Sequence, residues 1–256
     1  MQIFKKLALE ISRSILKSNP DLAPRIESIA RSVQGINEND TQFFLELYKE
    51  LLECSKSHLR QDIFVLHELQ FKRNGFFVEF GAANGVRSSN TYLLEKQFDW
   101  TGILSEPARV FHDHLRQNRT AHIDTRCVWK ESGATIEFLE SDEPELSTIE
   151  NFVDADMHAV ARKGGKTYLV ESVSLTDLLD QYDAPMEIDY LSIDTEGTEL
   201  EILSGFDFSK YSFKVVTCEH NYSPRRDQLV ELFTRNGYER KFQTISRFDD
   251  WYVKST

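Results

Sequence analysis

Cysteine, glycine, proline and positive charge are all scarce in this 256-residue chain. Its 3 cysteines, Cys54, Cys127 and Cys218, are odd in number and far apart, so neither a disulfide framework nor a zinc site follows from them. A reducing, cytoplasmic setting is the expectation. Only 11 Gly and 6 Pro argue against a linker-rich or low-complexity chain. With 30 Lys and Arg against 42 Asp and Glu, the net charge is −12. That balance disfavours sequence-independent binding to nucleic acid or anionic lipid, which needs clustered cations. No apolar run approaches the roughly 20 residues that span a bilayer, so no integral membrane segment is expected. The opening MQIFKKLALEISRSILKSN is broken by Lys5, Lys6, Glu10 and Arg13. It reads as an amphipathic helix with a packing face, with membrane-surface attachment as the alternative, and makes a poor secretion signal.

What is present is enough for a sizeable core: 40% apolar residues, with 18 Phe and 9 Tyr. Residues 1–73 read as a helical extension, with Asp21 and Asp40 as N-caps and Asn74-Gly75 as the stop. Residues 74–256 read as a second domain with a different texture. Short apolar strands at 76–80, 101–105, 122–128, 189–193 and 213–219 alternate with helical patterns at 88–97, 107–117, 174–182, 197–204 and 224–235. Such alternation predicts a parallel, doubly wound sheet with helices on both faces. YERKFQ and DWYVKS look like a closing strand pair. The stretch 140–168 breaks the rhythm with acidic SDEPE and then basic HAVARKGGK. It reads either as a lid or substrate-binding insertion, or as a surface excursion without a role.

In an open parallel sheet, ligands bind beyond the carboxyl ends of the strands. After the first strand comes Glu79-Phe80-Gly81-Ala82-Ala83-Asn84-Gly85. This departs from the G-x-G-x-x-G dinucleotide pattern at Ala83, and a strand-end carboxylate is unhelpful beside a pyrophosphate. Glu79 suits a cationic ligand group, such as the sulfonium or amino group of S-adenosylmethionine; the loop alone reads equally well as a structural turn. Glu106-Pro107 follows the second strand, where a carboxylate can accept both ribose hydroxyls or simply be an exposed strand-end charge. Cys127 and Val128 would lie near an adenine ring. The fourth strand ends at Asp194-Thr195-Glu196 and the fifth at Glu219-His220-Asn221. These offer a general base, metal ligands or both, although a helix N-terminus at 196–199 also accounts for carboxylates there. The histidines at 58, 67, 112, 114 and 122 read as structural.

Taken in order, FFVEFGAANGVRSSNTYLLEK, W-TGILSEP, IDYLSIDTEGTELEILSGF, VVTCEHNY and DDWYV resemble the FkbM-type methyltransferases over about residues 61–254. The resemblance implies S-adenosylmethionine as cofactor and a class I, Rossmann-like α/β fold: a seven-stranded, mostly parallel sheet with one antiparallel strand. It implies that Glu79, Gly81, Gly85, Ser89, Asn90 and Glu106 are cofactor-site positions, with Ala82, Asn84, Pro107, Cys127 and Val128 beside them. Asp194, Glu196 and Glu219 would border the active site. Many members methylate hydroxyls of sugars or natural products, so the expected acceptor is a sugar, nucleotide-sugar or glycan-precursor hydroxyl. Asp194 and His220 are the candidate bases. Arg162, Lys163 and Lys166 are candidates to meet acceptor phosphates, with Glu196 on the substrate side. By topological analogy with catechol-type methyltransferases, Asp194, Glu219 and His220 could instead hold Mg²⁺ or Mn²⁺. Residues 1–60 fall outside the resemblance and could carry homo-oligomer contacts or part of the substrate pocket. A non-sugar, carboxylate or amine acceptor, a nicotinamide-dependent oxidoreductase and a silent scaffold remain as alternatives.

Overall fold

The computed structural model describes residues 51, 53–153, 160, 162 and 165–255. The helices expected before residue 51, with their caps at Asp21 and Asp40, lie outside the described residues. The chain divides into two compact units, Met1–Ser55 and Lys56–Thr256. The second unit opens earlier than the expected boundary at residue 74, because helix α1 (Gln61–Glu68) packs within it. Ile63, Phe64, Val65 and Leu66 are buried, Phe64 stacks on Trp251 with centroids 4.8 Å apart, and the Gln61 amide donates to Asp249 at 2.8 Å.

The main sheet has seven strands in the order β10-β11-β9-β8-β1-β2-β3. Its members are β1 (Phe76–Phe80), β2 (Thr101–Ser105), β3 (His122–Asp124), β8 (Glu187–Ile193), β9 (Ser212–Glu219), β10 (Tyr238–Lys241) and β11 (Asp249–Lys254). Every pairing is parallel except the two made by β11. This is the single antiparallel strand that the resemblance implies. Strands buried on both faces carry continuous apolar runs rather than alternation, which is why FFVEF and EIDYLSI are so dense in large apolar side chains. Helices cover both faces: α2 (Tyr92–Phe98), α3 (His112–Asn118), α4 (Leu175–Gln181), α5 (Glu199–Ser204) and α6 (Arg226–Arg235). In α4, Leu175, Leu178 and Leu179 share the buried face at helical spacing, and the Ser174 side chain caps the helix by accepting from the Asp177 N–H. Among the described residues, no helix is long and apolar enough to cross a membrane.

The structure corrects one expected strand and adds a sheet that the sequence did not lead us to expect. Residues 122–128 are not one strand: β3 ends at Asp124, and β4 (Cys127–Trp129) belongs to a second sheet. The break is local chemistry, because the Asp124 carboxylate accepts the Arg126 backbone N–H at 2.9 Å and binds its guanidinium through both oxygens. The stretch 140–168 is bordered by that second sheet, in the order β4-β7-β5-β6, with β5 (Thr135–Glu140), β6 (Thr148–Ile149) and β7 (Lys166–Ser174). Alternation in TIEFLE buries Ile136 and Phe138 in a small cluster with Ile149, Phe152 and Val170. The segment between β5 and β6 lines the cleft described next.

Candidate active site

Strand order reverses between β1 and β8, and a cleft of about 460 Å³ opens at the carboxyl ends of the strands there. One wall is the loop after β1. Gly81 has φ 72°, and a Cβ on it would sit 1.9 Å from the Asp194 carbonyl oxygen. Glycine is therefore required by the close approach of the β1 and β8 ends. Glu79 lies buried beneath the loop and takes three donors: the Asn90 N–H at 2.7 Å, the Ser89 hydroxyl at 3.1 Å and the Thr91 hydroxyl. The fully buried Arg119 guanidinium lies 3.7 Å away. Burial still raises the Glu79 carboxyl above the usual range, against the opposing pull of Arg119 and the hydrogen bonds. These bonds also explain why α2 starts at Tyr92, four residues later than its pattern suggests: residues 89–91 are committed to Glu79.

Glu106, just past β2, is equally organised. One oxygen accepts the Ala83 N–H and the other the Ala108 N–H, both at 2.7 Å. Burial raises its pKa to about 7. Each oxygen retains acceptor capacity toward the cleft, as a carboxylate binding two hydroxyls needs. Cys127 and Val128 line the same end, where burial pushes the Cys127 thiol up to about 12 and keeps it neutral.

Across the cleft, Asp194 after β8, Glu196 in the following loop and Glu219 at the end of β9 bring carboxylate oxygens within 4.8 Å of one another. Burial raises Glu219 well above the usual carboxylate range; the charges of Asp194 and Glu196 and a hydrogen bond with Asp194 add to it. Asn221 donates to Glu219 at 2.7 Å and to Glu196 at 3.3 Å. The buried Arg162 guanidinium meets Glu196 at 2.5 Å, while its other nitrogens donate to the carbonyls of Leu146 and Val153.

Of the residues anticipated from sequence, Glu79, Gly81, Asn90, Glu106, Pro107 and the Cys127-Val128 pair line the cleft, together with Asp194, Glu196 and Glu219. Ala82, Asn84, Gly85 and Ser89 are not among the lining residues and support it from behind. Asn84 caps the turn through the N–H groups of Val86 and Arg87, and Gly85 packs against Arg119. His220 is a correction. It is buried and does not line the cleft; Nδ1 accepts the Tyr222 N–H and Nε2 faces Asp250 at 3.9 Å. The strand period turns residue 220 away from residue 219, and Asn221, with φ 42°, brings its amide back to the Glu219 side. Burial also holds the imidazole below its usual range.

The expected phosphate cluster is a second correction. Arg162 is buried and engaged by Glu196; Lys166 is exposed at the start of β7, opposite Glu140; Lys163 lies outside the described residues. Neither Arg162 nor Lys166 lines the cleft, where Arg87 is the sole Lys or Arg among the described residues. Sequence reading missed Arg119, which carried no local signal; Asn221 entered it only within the Glu219-His220-Asn221 cluster, and 143–149 only as part of the 140–168 excursion.

No curated protein matches the chain in sequence. Among solved structures, PH1948, a proposed RNA methyltransferase of Pyrococcus horikoshii, is 11% identical, with 77% of this chain and 82% of that one covered at a TM-score of 0.39. The precorrin-6y C5,15-methyltransferase of Geobacter metallireducens is 15% identical, with coverages of 70% and 71% and a TM-score of 0.37. The METTL16 methyltransferase domain is 11% identical, with 93% of each chain covered at a TM-score of 0.41. The methyltransferase FkbM domain matches residues 79–250, from Glu79 in β1 to the second residue of β11, and the chain belongs to the FkbM methyltransferase family.

Proposed function

We propose that this S-adenosylmethionine-dependent methyltransferase delivers its methyl group to a hydroxyl of a sugar or glycan precursor. The observation that carries the reading is the hydrogen-bonded Asp194–Glu219 pair facing the β1 loop across the cleft. The bound cofactor supplies an electrophilic methyl carbon on a sulfonium. A cleft of about 460 Å³ with a buried, two-sided carboxylate at Glu106 suits it in size and chemistry. Glu106 would hold the ribose hydroxyls, Cys127 and Val128 would flank the adenine, and the Gly81–Ala83 backbone would border the methionine portion. Of the two candidate bases, Asp194 lines the cleft and His220 does not. Glu219, kept protonated by burial, donates to Asp194 and orients it, so that Asp194 accepts the acceptor's hydroxyl proton as oxygen meets carbon.

An acceptor carboxylate is disfavoured, because Asp194, Glu196 and Glu219 already crowd that side. The same charge disfavours a nucleotide-sugar diphosphate inside the cleft. The three free cysteines are compatible with a cytoplasmic setting. A second reading puts a divalent cation on Asp194, Glu196 and Glu219 in place of the set that included His220. Arg162 on Glu196 opposes it, since a guanidinium already supplies the counter-charge.

The test incubates the enzyme and cofactor with a panel of free sugars, methyl glycosides and nucleotide sugars, read by mass spectrometry. The expected result is one added methyl on a neutral sugar, with Asp194→Asn losing at least about 100-fold in turnover. Methylation confined to amines or carboxylic acids would overturn the reading.

A further inference from the structure

Two aromatic rings on the cleft lining have no part in what precedes. His58 lies upstream of the family match and Phe248 immediately precedes β11. Their centroids are 5.2 Å apart and their planes are inclined at 51°, so the rings make an open corner rather than a closed stack. His58 is exposed and Phe248 only partly buried, so the core uses neither ring in full.

Both rings are held by backbone anchored around the acidic side of the cleft. The Phe248 carbonyl accepts the N–H groups of His220 at 2.9 Å and Asn221 at 3.2 Å, and the next residue, Asp249, pairs in register with Glu219. Ser57 is buried, forms a bridge with Ser88, and hydrogen-bonds Asn90 at 2.7 Å and the Gln61 N–H at 2.9 Å. Gln61 reaches Asp249 in turn. One hydrogen-bonded run therefore ties the His58 segment to the Phe248 segment. Phe248 belongs to the β9 and β11 flank of the switch point, whereas Glu106 belongs to the β2 flank. The corner is thus separate from the proposed ribose and adenine positions.

We infer that His58 and Phe248 form an acceptor subsite, which holds the ring of a neutral sugar or cyclic polyol against aromatic faces with its hydroxyls toward Asp194 and Glu219. The inference rests on the sugar reading above and deepens it. A pyranose has an apolar C–H face and a polar edge. Aromatic walls take the first, and carboxylate and amide groups take the second. The corner supplies the walls, and Asp194, Glu219 and Asn221, all on the cleft lining, supply the acceptors and donor. An anionic ring would meet repulsion from the same carboxylates.

The test is saturation-transfer NMR on the full chain with S-adenosylhomocysteine present. The probes are methyl α-D-glucopyranoside, methyl α-D-mannopyranoside, methyl α-L-rhamnopyranoside and myo-inositol. Saturation of ring C–H protons is expected for at least one probe. His58→Ala and Phe248→Ala should each weaken that probe's affinity by roughly 10-fold, while His58→Phe, which keeps a ring and loses the nitrogens, stays within about 3-fold. Calorimetry should find S-adenosylhomocysteine binding unchanged in all three variants, which shows that they are folded. The subsite is overturned if no probe is saturated, if both alanine variants bind like the parent chain, or if His58→Phe loses as much as His58→Ala. The two levels separate cleanly. Sugar methylation with unchanged KM in both alanine variants overturns the subsite alone. Sugar binding at the corner with the methyl delivered to an amine of that same sugar overturns the hydroxyl reading alone.

Discussion

Glu106 is a carboxylate that the fold binds through two backbone N–H groups and yet holds near pH 7 by burial. The folded state therefore keeps a proton that the unfolded state, with a carboxyl near 4.5, has already released. Between those values, rising pH favours the unfolded chain at this group. In cofactor-free protein, the parent should lose stability relative to Glu106→Gln as pH rises from about 4.5 to about 7, read as the difference between their thermal midpoints. An unchanged difference across that window would show that the carboxyl is not raised. The same variant should weaken cofactor binding by about 1–3 kcal/mol through lost charge-assisted bonds. A side chain at Gly81 would act on the fold itself. The added atom meets the Asp194 carbonyl, so the damage is to the β1–β8 junction itself. Gly81→Ala should cost about 2 kcal/mol or more in urea denaturation, from left-handed backbone strain plus the clash.

Among the elements, the segment between β5 and β7 depends on one buried cation. Arg162 donates to the carbonyls of Leu146 and Val153 and to Glu196, joining the β6 region to the acidic side of the cleft. Removing the guanidinium takes away the cation that offsets Glu196 beside Asp194 and Glu219. Arg162→Met should therefore cost about 3–5 kcal/mol of stability, the usual price of breaking a buried ion pair by one partner. The double variant with Glu196→Gln should recover a large part of that loss, and strict additivity in denaturation experiments would argue that the pair is not coupled. The sequence placed Arg162 in a basic cluster awaiting phosphate. A run such as HAVARKGGK records charge but not the carboxylate that folds against it 34 residues later.

At the scale of the molecule, the doubly wound sheet gathers chemistry from strand ends far apart in the chain into one cleft. If proton sharing between Asp194 and Glu219 activates the acceptor, exhaustive EDTA treatment should leave turnover unchanged in protein shown metal-free by elemental analysis. Loss of activity restored by Mg²⁺ or Mn²⁺ would transfer the role to a cation on Asp194, Glu196 and Glu219. Cofactor at 100 times its dissociation constant should stabilise the folded chain by roughly 2.7 kcal/mol, visible as a raised thermal midpoint.

The sequence alone determined what local pattern can encode. The apolar runs of β1 and β2 were legible at their exact ends, as were the helices α4 and α6 to within two residues and the strand-end acids Glu79, Glu106, Asp194 and Glu219. Short-range rules suffice for these, since burial on both faces demands continuous apolar strands and topology directs their C-terminal ends to one edge. The second sheet was not anticipated: TIEFLE alternates, yet its pairing with residues 166–171 spans the long excursion and has no local signature. Tertiary structure alone decided which way His220 turns, what Arg162 faces, how Arg119 supports the loop after β1 and why His58 meets Phe248. Each depends on a partner brought close by folding, and the energy of a buried charge or ring is set by that partner rather than by its neighbours in the chain.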